Sequence, residues 1–152
     1  MSNHLQDLQL RQTDAMLASW RNAQLPSRPQ SGWSHAIRDA LGMTAAALAR
    51  HLGMSPAGLR KLEKAEASEA ITLASLRKLA NALDCELRYA LVPKTSLELM
   101  LKNRATQVAR DRLHPVSHSM SLEDQSVEGS SSELQLELLA QEILNGSRRQ
   151  LW

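Results

Sequence analysis

Apolar residues recur at helical spacing along most of the chain, and the first such run spans residues 4–24. No glycine or proline interrupts this run before Pro26 and Pro29. Because proline cannot continue a helix, the pattern predicts an N-terminal helix followed by an extended linker. The apolar positions of this helix include Leu5, Leu8, Leu17 and Trp20.

The second run, residues 32–83, contains four short segments in which apolar residues have helical spacing. Hydroxyl side chains stand where three of these helices would begin. Such side chains accept hydrogen bonds from the free N–H groups of a first helical turn, so the predicted N-caps are Thr44, Ser55 and Thr72. Gly53 can adopt the left-handed conformation of a sharp turn, and Pro56 suits the first helical position. The pattern predicts a helix-turn-helix over residues 34–64, whose second helix begins at Ser55.

A different period appears at residues 85–93, where apolar and polar side chains alternate. Leu87, Tyr89 and Leu91 fall on one face, as in a β-strand. A lone strand needs a partner for its backbone N–H and C=O groups. We therefore expect two copies to pair these strands antiparallel in a homodimer; the alternative is that the segment continues the preceding helix.

Polar residues dominate much of the chain beyond this segment. Thr95 and Glu98 have the spacing of a capping box and predict a helix to about Arg112. Residues 114–132 are rich in serine and acidic residues, which predicts a flexible acidic linker.

A short amphipathic helix is predicted at residues 133–145, with Gly146 as its stop. Its apolar stripe includes Leu136, Leu139 and Ile143. One interpretation is a tethered segment that folds onto a protein partner through this stripe. The other is that the helix packs against the chain's own body.

Composition and charge narrow the function classes. The chain is 43% hydrophobic but only 3% aromatic, which favours a helical fold built on leucine and alanine. Residues 1–115 carry 16 basic and 10 acidic side chains, whereas residues 116–152 carry 2 and 6. A balance of +6 in the first part against −4 in the second suits a basic nucleic-acid-binding body with an acidic appendage.

The same sequence offers no motif for catalysis, a metal site or a cofactor. The five histidines and the single Cys85 have no metal-ligand spacing, and no phosphate-binding glycine loop or nucleophile elbow is present. No apolar run has the length of a membrane span. We expect a soluble, cytoplasmic binding protein that is not an enzyme.

The helix that begins at Ser55 has an outward face suited to DNA. Small residues at its start allow close approach, and its cations can reach phosphates and guanine edges in the major groove. With the two N-caps, the candidate DNA-binding residues are Thr44, Ser55, Pro56, Ala57, Arg60, Lys61 and Lys64. The alternative is a helical bundle with a solvated basic face.

Residues 33–83 resemble the phage-repressor type (Xre/Cro-like) of helix-turn-helix, through the motifs Leu41-Gly42-Met43-Thr44, Leu48-Ala49-Arg50, Leu52-Gly53-Met54-Ser55 and Leu59-Arg60-Lys61-Leu62-Glu63. The resemblance implies base contacts from Pro56, Ala57 and Lys61, and a structural role for Glu63. The chain departs from the family pattern at Ala45 and at Pro56 with Ala57, where the family usually has glutamine.

The implied fold class is all-α: a lambda-repressor-like helix-turn-helix bundle with N- and C-terminal helical extensions and one short dimerising β-strand. We divide the chain into residues 1–31 (N-terminal helix and proline linker), 32–84 (helix-turn-helix domain), 85–113 (strand and helix for dimerisation) and 114–152 (acidic linker and C-terminal helix).

A narrower resemblance is to the bacterial group called mobile mystery protein A. It rests on Gly32-Trp33, Ile71-Thr72-Leu73-Ala74-Ser75-Leu76, Leu83-Asp84-Cys85, Tyr89-Ala90-Leu91-Val92-Pro93 and Leu151-Trp152. Members are Xre-type regulators encoded beside a Fic-domain protein. The resemblance implies a repressor of its own operon that is an antitoxin-like partner of a Fic-domain toxin. The expected homodimer would present two recognition helices to the DNA and so read a palindromic operator. The alternative is a protein-only antitoxin that neutralises its partner without binding an operator.

Overall fold

The computed structural model describes residues 2–122 and 129–152, which form seven α-helices and one 3₁₀ helix. The α-helices are α1 (Ser2–Asn22), α2 (Trp33–Ala40), α3 (Ala45–Leu52), α4 (Pro56–Ala67), α5 (Leu73–Ala82), α6 (Leu97–Leu122) and α7 (Gly129–Asn145). The 3₁₀ helix is Arg148–Leu151. The chain divides into a central unit, Gln24–Tyr89, and a terminal unit, Met1–Ala23 with Ala90–Trp152. The terminal unit therefore joins two segments that the linear division of the sequence kept apart.

The central unit is a four-helix cluster around a leucine core. Leu48, Leu59 and Leu79 are fully buried, and Met43 and Met54 pack against them. The three predicted N-caps are confirmed, because each hydroxyl accepts a hydrogen bond of 3.0–3.1 Å from the N–H of the residue three positions later: Thr44 from Ala47, Ser55 from Gly58 and Thr72 from Ser75.

The strand predicted at residues 85–93 is not formed within this chain, so that prediction is wrong for a single copy. These residues have neither helix nor strand, and the alternative of a longer helix is also wrong because α5 ends at Ala82. The reason is the one that makes any lone strand unstable: the chain supplies no second strand to pair with this backbone among its described residues. Leu87 is half-buried, whereas Tyr89 and Leu91 are exposed.

The terminal unit packs α6 against α1 and, through small side chains, against α7. Ala105 and Ala109 of α6 and Ala140 of α7 are buried, which lets the two helix backbones approach closely. Leu151 of the 3₁₀ helix is fully buried in the same cluster. This unit therefore has a hydrophobic core of its own.

The first turn of α6 is capped from two sides. The Ser96 hydroxyl accepts a 3.1 Å hydrogen bond from the N–H of Leu99, so Ser96 is the cap where the sequence predicted Thr95. The Asp14 carboxylate of α1 accepts hydrogen bonds from the N–H groups of Leu97, at 2.6 Å, and Glu98, at 3.1 Å. A negative charge at a helix N-terminus is also stabilised by the helix dipole.

The stripe on α7 that the sequence assigned to a partner faces α6. Ile143 is buried, and Leu136 and Leu139 are partly buried against the same core. The arrangement is the one expected if the C-terminal helix packs against the chain's own body. A partner could reach Ile143 only after α7 separates from α6.

The predicted flexible linker of residues 114–132 is helical wherever the structure describes it. Helix α6 continues past Arg112 and through Pro115 to Leu122, and α7 begins at Gly129. Residues 123–128 lie outside the described part of the chain. In the described ranges 2–122 and 129–152, no helix combines the length and apolar character needed to span a bilayer.

Candidate nucleic-acid interface

Helices α3 and α4 form the helix-turn-helix around a tight turn at Gly53. Its backbone has φ of 64°, in the left-handed region that glycine occupies without strain. The N–H of Met54 donates a 3.0 Å hydrogen bond to the carbonyl of Ala49, which closes the end of α3. Ala49 and Leu59 are buried where the helices pack, so the turn fixes the start of α4 relative to α3.

The seven residues predicted to bind DNA are all exposed and therefore available to a ligand. Leu59, Glu63 and Glu66 are buried on the inner face of α4, and the candidate side chains occupy the opposite, solvent-facing side. The exposed residues are Thr44 at the N-cap of α3 together with Ser55, Pro56, Ala57, Arg60, Lys61 and Lys64 at the start and along α4.

The electrostatics of the central unit favour an anionic ligand. Its acidic side chains are largely engaged in internal contacts: Glu63 and Asp39 with Arg38, Glu69 with Arg28, and Glu86 with Arg88. Six cations of the central unit form no salt bridge with a described residue, namely Arg50, Arg60, Lys61, Lys64, Arg77 and Lys78. Half of them lie on α4, so its outward face carries uncompensated positive charge.

A shallow depression of about 340 Å³ runs beside α4 on the side of α2. Arg60 and Lys64 border it together with His35 and Ser31. His35 Nδ1 lies 3.4 Å from a carboxylate oxygen of Asp39. Two cations at the edge of a depression next to the candidate recognition helix suit contact with a phosphate group.

The Arg38–Glu63 pair holds α4 against α2. Arg38 Nε lies 2.7 Å from Glu63 Oε1 and Nη2 lies 3.2 Å from Oε2, a two-pronged contact that is buried on both sides. Arg38 Nη1 also donates to the carbonyl of Met43, at 3.0 Å, just before α3. The hydrogen bond to Glu63 raises the pKa of Arg38 above its ordinary value, even though burial opposes the charge. Glu63 therefore has the structural role that the resemblance implied, and Arg38 extends it to the start of α3.

A second buried carboxylate caps α2 from a distance. Glu66 is 6% exposed and accepts hydrogen bonds from the N–H groups of Trp33, at 2.6 Å, and Ser34, at 3.1 Å, and from the Ser34 hydroxyl. Gly32 precedes this site with φ of 85°. A Cβ atom on Gly32 would lie 2.9 Å from Cδ of Glu66, so the close approach of the carboxylate depends on glycine at position 32.

Sequence reasoning missed Arg38, Glu66 and Gly32 as the residues that position α4. Local patterns identify the exposed cations, but the partners of these three lie 25–34 residues away in the chain. The available signal was the placement of Glu63 and Glu66 on the apolar face of α4, since buried acids are rarely unpaired.

Comparison with known proteins gives one match. The family model described as helix-turn-helix matches residues 35–89, which span α2 to α5 and the first part of the following segment. The match supports a DNA-binding regulator. Neither the curated proteins nor the solved structures gave a match.

Proposed function

We propose that the chain is a sequence-specific DNA-binding transcriptional repressor, a binding protein and not an enzyme. The observation that carries the proposal is the exposed face of α4, where Arg60, Lys61 and Lys64 have no acidic partner among the described residues. An α-helix fits the major groove of B-DNA, and the buried pairs on its inner face hold α4 rigidly for this purpose.

The recognition helix offers few side-chain hydrogen bonds at its start. Pro56 and Ala57 stand where the resembled family usually has glutamine, and neither can pair with a base edge. Direct readout therefore falls to Arg60 and Lys61, with apolar contacts from Pro56 and Ala57 to thymine methyl groups. At the start of α3, Ala45 and Ala46 have N–H groups with no partner among the described residues, which suits a phosphate near Thr44.

The biological role proposed is autoregulation with a toxin partner. The resemblance to regulators encoded beside a Fic-domain protein supports a repressor of the chain's own operon that acts as the antitoxin of that Fic-domain protein. It would bind as a homodimer, which presents two recognition helices to half-sites about 34 Å apart and so reads a palindrome.

The alternative is a protein-only antitoxin, and the glutamine-poor start of α4 is the observation that favours it. A gel shift with the DNA upstream of the chain's own gene separates the two. Absence of any shift, together with protection of cells that express the neighbouring Fic-domain protein, would support the alternative and contradict the repressor.

Paired substitutions test the assigned residues. Arg60→Ala with Lys61→Ala should weaken operator binding by about 1–3 kcal/mol for each base contact that is removed. Lys64→Ala should reduce the salt dependence of binding by about one unit of slope, as expected when one phosphate contact is removed. The matched control is Arg110→Ala with Arg112→Ala, which removes the same charge from exposed positions of α6 and should leave binding nearly unchanged.

A further inference from the structure

An apolar groove of about 370 Å³ crosses the surface of the central unit. Its walls include Ile37 of α2, Leu76 and Leu79 of α5, and Leu83 just beyond α5. Cys85 and Leu87 continue one wall, and the charged side chains of Glu86 and Arg88 also border the groove. The groove is largely hydrophobic and open to solvent, which is uncommon on a surface that has no partner.

The segment that forms this wall has an unpaired backbone. Within the described part of the chain, residues 86–93 make no backbone–backbone hydrogen bond through either their N–H or their C=O groups. Apolar side chains nevertheless stand in water along it, since Tyr89 is 60% exposed and Leu91 is 89% exposed. A row of free backbone groups flanked by apolar side chains is a template for pairing with another extended segment.

The charges of the segment indicate which partner fits. Arg88 binds Glu86 within the chain, with Nη2 3.0 Å from Oε2, and both side chains are more than two-thirds exposed. Two copies of residues 83–91 can run antiparallel with Leu87 at the twofold axis. Each residue then faces the residue of the other copy for which the two residue numbers add up to 174. Glu86 then faces Arg88 of the other copy, and Arg88 faces Glu86.

The same register pairs the apolar residues. Tyr89 of one copy lies beside Cys85 of the other, and Leu91 lies beside Leu83. Cys85 and Leu83 both line the groove. We infer that the groove is the docking surface for residues 87–91 of a second copy of this chain, held antiparallel about Leu87. The inference rests on the proposed homodimer and adds its surface, its register and the reason why one copy leaves the segment unpaired.

Disulfide trapping tests the register directly, because the chain has a single cysteine. In the full-length variant Cys85→Ala with Leu87→Cys, the two copies of position 87 face each other, with Cα atoms about 4.5–5.5 Å apart. This distance permits a disulfide, so mild oxidation should give a covalent dimer on a non-reducing gel. In the control Cys85→Ala with Ala90→Cys, the two thiols are offset by six residues, roughly 20 Å, and the chain should remain monomeric on the gel.

A second variant keeps Leu87 in place. Tyr89→Cys in the otherwise native chain puts a thiol opposite Cys85 of the other copy. Within one chain, residues 85 and 89 of an extended segment are about 13 Å apart, too far for a disulfide. A covalent dimer from Tyr89→Cys, together with no crosslink from the native Cys85 alone, is the expected result. A crosslink from Ala90→Cys and none from Leu87→Cys or Tyr89→Cys would overturn the register.

Charge reversal tests the same pairing without cysteine chemistry. Glu86→Arg places arginine opposite arginine in a homodimer, and Arg88→Glu places glutamate opposite glutamate. Mixing the two variants restores both attractive pairs, so sedimentation should show two weakened homodimers and a heterodimer at least several-fold tighter than either. Removal of the intrachain Glu86–Arg88 pair cannot produce this pattern, because both variants lack it. Equal self-association of all three samples would contradict the inference.

DNA binding is measured on the same samples and separates the interface from the proposed function. Operator binding without any crosslink at positions 87 or 89 would leave the repressor intact and remove this interface. A crosslinked dimer that binds no DNA would support this interface and contradict the repressor.

Discussion

Gly32 and Glu66 show how one residue without a side chain makes room for a buried charge. A Cβ at position 32 would lie 2.9 Å from Cδ of Glu66, so the carboxylate would have to move from its place at the N-terminus of α2. The backbone at Gly32 also has a φ that other residues rarely adopt. In return, the carboxylate satisfies the first N–H groups of α2, which would otherwise be buried without a partner. The two residues therefore form one structural unit.

Gly32→Ala should destabilise the chain more than alanine at an unobstructed glycine. Gly42 has a similar φ of 65°, but no atom lies within 4 Å of the point that its Cβ would occupy, so Gly42→Ala reports only the backbone cost of about 1–2 kcal/mol. The steric clash should add about 1–3 kcal/mol for Gly32→Ala, measured by urea unfolding. In a Glu66→Ala background, the cost of Gly32→Ala should fall to that of Gly42→Ala; an unchanged cost would show that the carboxylate is not the obstacle.

Arg38→Met should cost about 3–5 kcal/mol, because it leaves the Glu63 carboxylate buried without its partner. Replacing both residues, as Arg38→Met with Glu63→Leu, should recover much of this loss. The exposed pair of Lys102 and Glu98 provides the control, and Lys102→Met should change stability by less than about 1 kcal/mol. Thermal unfolding of the unmodified protein, the two single variants and the double variant measures these differences in stability.

The pH dependence of the Arg38 contribution follows from the direction of its pKa. A raised pKa in the folded state contributes stability that is complete below arginine's ordinary pKa and lost only as the pH rises through the folded pKa. Between pH 6 and about 9 the contribution of Arg38 should therefore be constant. A loss of Arg38-dependent stability within this window would contradict that assignment.

At the scale of elements, caps that lie next to their helices could be predicted and caps from other helices could not. Thr44, Ser55 and Thr72 are identifiable because each bonds an N–H only three residues away. Asp14 caps α6 from 83 residues away, and no local pattern encodes that contact. The strand prediction at residues 85–93 was wrong for a related reason. The alternating pattern specifies one strand, but the described residues provide no second strand to pair with it.

Asp14→Ala should destabilise the terminal unit by about 1–2 kcal/mol, because two N–H groups of α6 lose their acceptor. The control is Asp111→Ala, which removes an exposed carboxylate from the middle of α6. The control should change stability by about 0.5 kcal/mol or less. Circular dichroism during urea unfolding measures both, and equal effects would indicate that Asp14 contributes only surface charge.

At the scale of the whole molecule, the described residues form two hydrophobic cores with no residue in common. The apolar periodicity of residues 32–83 was sufficient to predict the central core. The terminal core combines α6 with α7, and α1 packs against α6 in the same unit. Because the central unit lies between α1 and α6 in the sequence, no local pattern indicated this association. The exposure of the candidate DNA-binding residues was predictable because one short helix carries most of them on its outward face.

Core substitutions should affect the two units separately. Trp33 belongs to the central unit, so replacing Trp20 and Trp152 by phenylalanine leaves a fluorophore that reports on this unit alone. In that background, Leu79→Ala should destabilise the Trp33 transition by about 2–5 kcal/mol. Leu151→Ala should leave the Trp33 transition nearly unchanged while lowering the stability reported by total helicity. A shared shift in both transitions would show that the two cores unfold together.

The contact between Gly32 and Glu66 also has a consequence for natural variation of this chain. A side chain at position 32 would displace the Glu66 carboxylate from the N–H groups of α2, so the glutamate would lose the contact that compensates its burial. In related chains, a side chain at position 32 together with glutamate at position 66 should therefore be the rare combination. Counting the four combinations among related chains tests this expectation, and the result bears on how freely the outward face of α4 can vary while its inner contacts stay fixed.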